Sequence, residues 1–255
     1  MHGIDVLFLR PRLLEGVRGA NKTPGEFRTV QNWIGASSDI ADASFVPPPA
    51  DMLPELLDDL EKFMTDETFA VPTLIKCAIF HYQFETVHPF LDGNGRIGRI
   101  AIPLYLLWEK RLTKACFYIS HYLEKKRAEY VVALQKVHEQ NNMIPWIIFF
   151  LNAVAYTAEH AYTKFQNITE LVDQNQKTLI SQGGRNENVF QILNAFYNKP
   201  VQTSASLIKS TNMPYTSVNY ALKRLVETDL IQETSGKSRN KVYKMERYIS
   251  MLEQF

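Results

Sequence analysis

The 255-residue sequence predicts a mainly α-helical protein with an extended, hairpin-like flap, followed by a small winged helix-turn-helix domain. Three observations carry this. Apolar residues recur at helical spacing through most of the first 180 positions. One early stretch, Glu26 to Gly35, alternates instead and is rich in β-branched and aromatic residues. Beyond Ser181-Gln182-Gly183-Gly184 the pattern changes to short helices and two short strands. The domains are therefore expected at 1–180 and 185–255.

Val6 to Val17 reads as a helix ending at Gly19, and Asn21-Lys22-Thr23-Pro24-Gly25 as a turn. Glu26 to Gly35 follows as a short β-hairpin or extended flap, and Pro47-Pro48-Pro49 as a rigid connector. Met52 to Thr65 places Leu53, Leu56, Leu57, Leu60 and Phe63 on one helical face. Pro72 opens the next helix, which runs through Leu74, Ile75, Ala78, Ile79, Tyr82 and Phe84. Further helices are expected at about 96–110, where Pro103 should kink the helix or remove a hydrogen bond, and at 120–139 and 145–178. In the tail, helices are expected at 188–197, 203–209 and 215–228, with strands at 230–233 and 241–244 around Ser235-Gly236-Lys237.

Composition sets bounds. Hydrophobic residues are 45%, charged residues 22% and net charge is +1. That is ordinary for a globular chain and gives no global charge argument for nucleic acid or membrane. No stretch reaches the ~18 apolar residues of a membrane span. Cys77 and Cys116 read as buried free thiols, which suits a reducing, cytoplasmic setting.

The chemistry concentrates in His88-Pro89-Phe90-Leu91-Asp92-Gly93-Asn94-Gly95-Arg96-Ile97-Gly98-Arg99. Asp-Gly-Asn-Gly alone is a hairpin signal, but the residues after it read as helix, so the glycines open a helix. A helix start offers unbonded N–H groups and a positive dipole end. Glycine lets phosphate oxygens approach the backbone. Arg96 and Arg99 lie on one face of the first turns and complete a polyphosphate clamp, with Asn94 as a further amide donor. Asp92 beside phosphates calls for a cation, and Mg²⁺ binds through one or two carboxylates plus phosphate oxygens. His88, with an ordinary pKa near ~6.5, suits proton abstraction from a hydroxyl. His121, His138 and His160 lack metal-ligand spacing, and no zinc site is expected.

Residues 88–99 resemble the complete Fic signature. Residues 24–35 resemble that family's flap, and Phe45-Val46-Pro47-Pro48-Pro49 the connector after it; the resemblance spans about 11–165. It implies an all-helical core with a β-hairpin flap, and transfer of AMP from ATP to a Ser, Thr or Tyr hydroxyl of a target protein or of the enzyme itself. By position, His88 would be the base and Asp92 the Mg²⁺ ligand. Gly93, Asn94, Gly95, Arg96, Ile97, Gly98 and Arg99 would bind the nucleotide, and Asn32, Trp33, Ile34 and Gly35 would border it. Many relatives carry an inhibitory Ser/Thr-x-x-x-Glu-Gly/Asn helix. This sequence contains no such pattern; Glu15-Gly16 has Pro11 at the required position. Where relatives often show two adjacent tyrosines, Tyr130-Val131 stands here.

The tail resembles the winged-helix module of longer Fic proteins. Thr216, Ser217, Asn219, Tyr220, Lys223 and Arg224 would face a groove, and Lys237, Arg239 and Lys241 would form a basic wing tip. Two other readings stand beside adenylylation: another Fic-type nucleotidyl or phosphoryl transfer, and a DNA-binding regulator whose Fic half is a sensor. A homodimer and DNA contact are left open as partners.

Overall fold

The computed structural model describes residues 26–35, 39–114, 116–182, 186–237 and 240–253. The expected helix at Val6–Val17, the turn at 21–25 and Arg239 lie outside the described residues. Two compact units divide between Ala158 and Glu159.

The first unit is helical. Helix α1 spans Leu53–Thr65, α2 Thr73–Val87, α3 Asn94–Trp108, α4 Ser120–Lys125, α5 Arg127–Gln140 and α6 Ile144–Ser181. Their boundaries follow local chemistry. Pro54 stands in the first turn of α1, and Pro72 caps α2, where a missing N–H costs nothing. The expected apolar stripe of α1 is inward, with Leu53, Leu60 and Met64 buried. Helix α2 is apolar nearly all round and lies deep, burying Cys77, Ala78, Phe80, Tyr82 and Phe84 together with Lys76, His81 and Glu85. Helix α3 continues through Pro103. Trp146 and Phe150 of α6 are fully buried, and the Trp146 indole N–H donates to the Ala78 carbonyl at 2.9 Å.

Three expectations change here. The helix expected at 120–139 is two helices that meet at Lys126. Cys116 is exposed, and only Cys77 is buried. The flap holds one antiparallel bridge, Ile34 to Phe45, and no hairpin ladder among its described residues. It is held down by side chains instead of a ladder: Phe27 stacks on Phe90 with centroids 5.6 Å apart, and Phe45 on His138 at 4.6 Å.

The second unit contains the last part of α6, then α7 (Glu187–Asn198), β1 (Val201–Thr203), α8 (Ser204–Thr211), α9 (Tyr215–Glu227), β2 (Gln232–Glu233), β3 (Val242–Lys244) and α10 (Glu246–Glu253). The antiparallel sheet has the order β1-β3-β2. The unit begins earlier than the expected break at 181–184, because α6 runs on for 38 residues and its end packs with the winged helix. Leu179 joins that core, and Asn175 Nδ2 donates to the Tyr197 hydroxyl at 2.9 Å. Asn186 and Thr203 cap α7 and α8, the latter through a reciprocal capping box with Ser206. Among the described residues, no helix is long and apolar enough to cross a membrane.

Candidate active site

The site is the turn between α2 and α3. His88 ends α2 in the left-handed region, at φ 47° and ψ 58°. A non-glycine residue there must be held by its surroundings. Two flap side chains supply the hold. Arg28 is 2% exposed, and its Nε–H donates to the His88 carbonyl at 3.0 Å. Its other nitrogens donate to the carbonyls of Pro48, Val87 and Val30. Asn32 Nδ2 donates to the Phe90 carbonyl at 2.9 Å and reaches that of His88 at 3.4 Å. The Arg28 backbone N–H also bonds the Pro89 carbonyl, at 2.9 Å.

The His88 ring is fixed as well. Nδ1 lies 3.1 Å from the Glu85 carbonyl, an acceptor only, so Nδ1 carries the proton and Nε2 presents a lone pair. Burial pulls the imidazole down to about 4, with the Glu85 carbonyl and Asp92 acting upward and Arg28 downward. The ordinary value expected from the sequence does not apply. Desolvation keeps this histidine neutral, with its Nε2 available to a proton, well below neutral pH.

Gly93 is the N-cap of α3, at φ 87°. A side chain would be strained there, so glycine lets the chain turn directly into the helix. The first N–H groups of α3 have no intrahelical acceptor. Asn94 departs from its expected part as a phosphate donor. It is 1% exposed, its Oδ1 accepts from the Phe90 N–H at 2.9 Å, and its Nδ2 donates to the Phe90 carbonyl at 2.7 Å. Its side chain shapes the loop by bonding both backbone groups of Phe90. Asp92 Oδ1 accepts from the Gly93 N–H at 2.7 Å, while Oδ2 lies 3.8 Å from Arg96. A half-exposed carboxylate with spare lone pairs at a helix start suits a cation shared with phosphate oxygens. Among the described residues, no group of three or more His, Cys, Asp or Glu could hold a metal. Ile97 and Gly98 are buried and pack inward, whereas Arg99 keeps 21% of its side chain exposed.

Residues 5–106 match the profile described as the Fic/DOC family, and residues 185–232 match that of a winged helix-turn-helix DNA-binding module. The chain carries a Fic domain. A probable protein adenylyltransferase from Aquifex aeolicus is 35% identical over 97 residues, covering 38% of this chain and 28% of that protein. Protein adenylyltransferase fic-1 from Caenorhabditis elegans is 26% identical over 183 residues, covering 70% of this chain and 31% of its own. The matches thus span less than a third of those curated relatives. A crystal structure of a Fic family protein from Desulfovibrio desulfuricans G20 superposes with a TM-score of 0.55 at 23% identity. It covers 94% of this chain and 67% of the other, and supports the fold.

Within the Fic domain, residues 88–99 form one turn and the helix it opens, and the flap residues divide. Asn32 turns toward the loop between α2 and α3. Ile34 sits at the exposed bend, bridged to Phe45, and Gly35 stands against Ala43, 3.3 Å from where a Cβ would be. Sequence reading missed two residues. Arg28 reads as one more charge in an alternating stretch. Glu85 is the one acid on a mostly apolar helix, and that anomaly was the available signal. In the winged helix, Thr216, Tyr220 and Lys223 are exposed, as are Lys237 and Lys241. Arg224 is engaged elsewhere: it donates to the Gln182 carbonyl at 2.8 Å and lies 3.6 Å from Glu227. Asn219 accepts from Ser204 at 3.3 Å.

Proposed function

We propose that this chain is a protein adenylyltransferase that transfers AMP from ATP to a Ser, Thr or Tyr hydroxyl of a target protein. The observation that carries the reading is a histidine whose Nδ1–H is bonded to the Glu85 carbonyl, which leaves the Nε2 lone pair to take a proton, six residues before the first residue of a helix whose first two turns carry Arg96 and Arg99. In the reaction, Nε2 of His88 takes the proton of the target hydroxyl. The freed oxygen pair bonds to the α-phosphorus. The bond from that phosphorus to the bridging oxygen breaks, and pyrophosphate departs with the electron pair. The backbone amides that open α3, with Arg96 and Arg99, hold the negative charge that grows on the phosphate oxygens. Asp92 would hold Mg²⁺, which when bound neutralises phosphate charge. Arg28 and Asn32 keep the base in place by fixing the carbonyls of residues 88 and 90.

The test is incubation with α-labelled or γ-labelled ATP and Mg²⁺. Protein label from the α position alone is expected, and His88→Ala should abolish it. Label from the γ position would move the reading to phosphoryl transfer. Equal labelling of wild type and His88→Ala would overturn the role of the base.

A further inference from the structure

Glu85 lies one turn before His88 on α2 and is 9% exposed. Its Oε1 is buried without a hydrogen-bond partner, an unusual state for a carboxyl oxygen. Two motif glycines make room for it. A Cβ on Gly98 would stand 2.3 Å from Oε1, which no side chain tolerates. A Cβ on Gly95 would stand 3.9 and 4.0 Å from the two carboxyl oxygens, and 3.1 Å from Arg99 Nη1. The carboxyl and the guanidinium therefore border the same glycine at the phosphate-binding helix start.

Among the described residues, the groups that face Glu85 include one cation. From its own helix comes His81, with Nε2 at 4.0 Å. His81 Nδ1 lies 3.2 Å from the Gly98 carbonyl, so it carries the ring proton, and Nε2 accepts from the Tyr130 hydroxyl at 3.0 Å. Burial pulls His81 down to about 4, so it is neutral. Tyr130, from α5, is held neutral by burial, which raises its phenol. From α3 comes Arg99, the charge that acts downward on Glu85 while burial pushes it up to about 7. On its other side, Arg99 lies 3.7 Å from the exposed carboxylate of Glu124 on α4.

We propose that Glu85 is a positioning residue: its buried carboxylate, seated against Gly95 and Gly98, directs the Arg99 guanidinium toward the nucleotide phosphates. A guanidinium is a planar fork with donors on more than one edge. With Glu85 behind it and Glu124 to one side, the guanidinium keeps further donors for phosphate, and part of the ordering cost of binding is removed. This rests on the reading of Arg99 as a phosphate clamp.

The test compares the full chain with Glu85→Gln, which keeps size and loses charge, and Glu85→Asp, which keeps charge. Calorimetry with Mg²⁺ measures binding of ATP, inorganic triphosphate and adenosine between pH 6 and 8. Nitrogen-15 spectra follow the Arg99 Nε–H, assigned with Arg99→Lys. Glu85→Gln should weaken ATP and triphosphate about fivefold, the scale of ordering one long side chain, and leave adenosine unchanged. It should shift the Arg99 signal and weaken the pH dependence of triphosphate binding to that of the ligand's own titration, whereas Glu85→Asp should retain the wild-type profile. Wild-type triphosphate affinity with an unmoved Arg99 signal in Glu85→Gln would overturn the proposal. So would equal weakening of adenosine, which indicates a merely structural role. Failure of the adenylyltransferase reading would show instead as a wild type without α-label, and leaves the triphosphate comparison intact.

Discussion

Replacing Arg28 with methionine removes a buried cation and keeps most of its volume, so the flap should lose its hold on the catalytic turn. The guanidinium reaches four carbonyls, but those of Val30 and Val87, at 3.4 and 3.3 Å, are long. The contacts to His88 and Pro48 are the strong ones. Hydrogen bonds from charged donors contribute roughly 1.5–3 kcal/mol each, which gives about 3–6 kcal/mol for two. Relief of the cost of burying the charge offsets part of this, and a net loss of about 3 kcal/mol is expected. The change should be local. The Phe90 N–H, bonded to Asn94 Oδ1 at 2.9 Å, is the natural probe by hydrogen exchange. A 3 kcal/mol loss corresponds to roughly a hundredfold faster exchange if it opens through that turn. Amides of α7, in the second unit, serve as the reference. Turnover should fall as well, because the left-handed backbone of His88 loses its anchor. Phe90 exchange within threefold of wild type, with α7 unchanged, would refute the assignment of Arg28 as the hook.

Two further outcomes follow from charge. The folded His81 titrates at about 4 against an ordinary 6.5, so the unfolded chain takes up its proton first as pH falls. Stability from this group is present above pH ~6.5 and lost toward pH 4, a span of about 3 kcal/mol; because His88 acts in the same direction and Glu85 in the opposite one, the measure is the stability difference between wild type and His81→Gln in denaturant titrations, which should grow by that span from pH ~4 to ~6.5, and a pH-independent difference would contradict it. In the second unit, Lys223→Ala should reduce the salt dependence of duplex DNA binding by about one unit of slope in fluorescence anisotropy, and the absence of any salt-dependent binding would remove the DNA reading.

Much of this was legible in the sequence because local chemistry decided it. Gly93 opens α3 instead of closing a hairpin, since Ile97, Ala101, Ile102, Tyr105 and Leu106 supply a buried helical face immediately after it. Pro72 and Thr203 mark helix starts for reasons visible within a few residues. What escaped depends on distant partners. The three residues of β1 become a strand only by pairing with β3 some forty positions later. The break at Lys126 interrupts no clear period. Asn94 carries the polarity of a phosphate donor, and only the loop fold shows that Phe90 takes both ends of its amide. Arg28 is buried because four carbonyls converge on it, and no local pattern announces carbonyls brought from residues 48, 87 and 88.

The two cysteines, finally, make an internal gauge. Cys116 is exposed, whereas Cys77 is fully buried, its thiol pushed well up by desolvation. A thiol reagent applied to the native chain therefore reacts at one position promptly. At Cys77 it must wait for α2 to open. Because α2 also carries His81 and Glu85 and ends at His88, the slow phase of that reaction times the opening of the helix that bears the candidate site, with no added probe and no substrate.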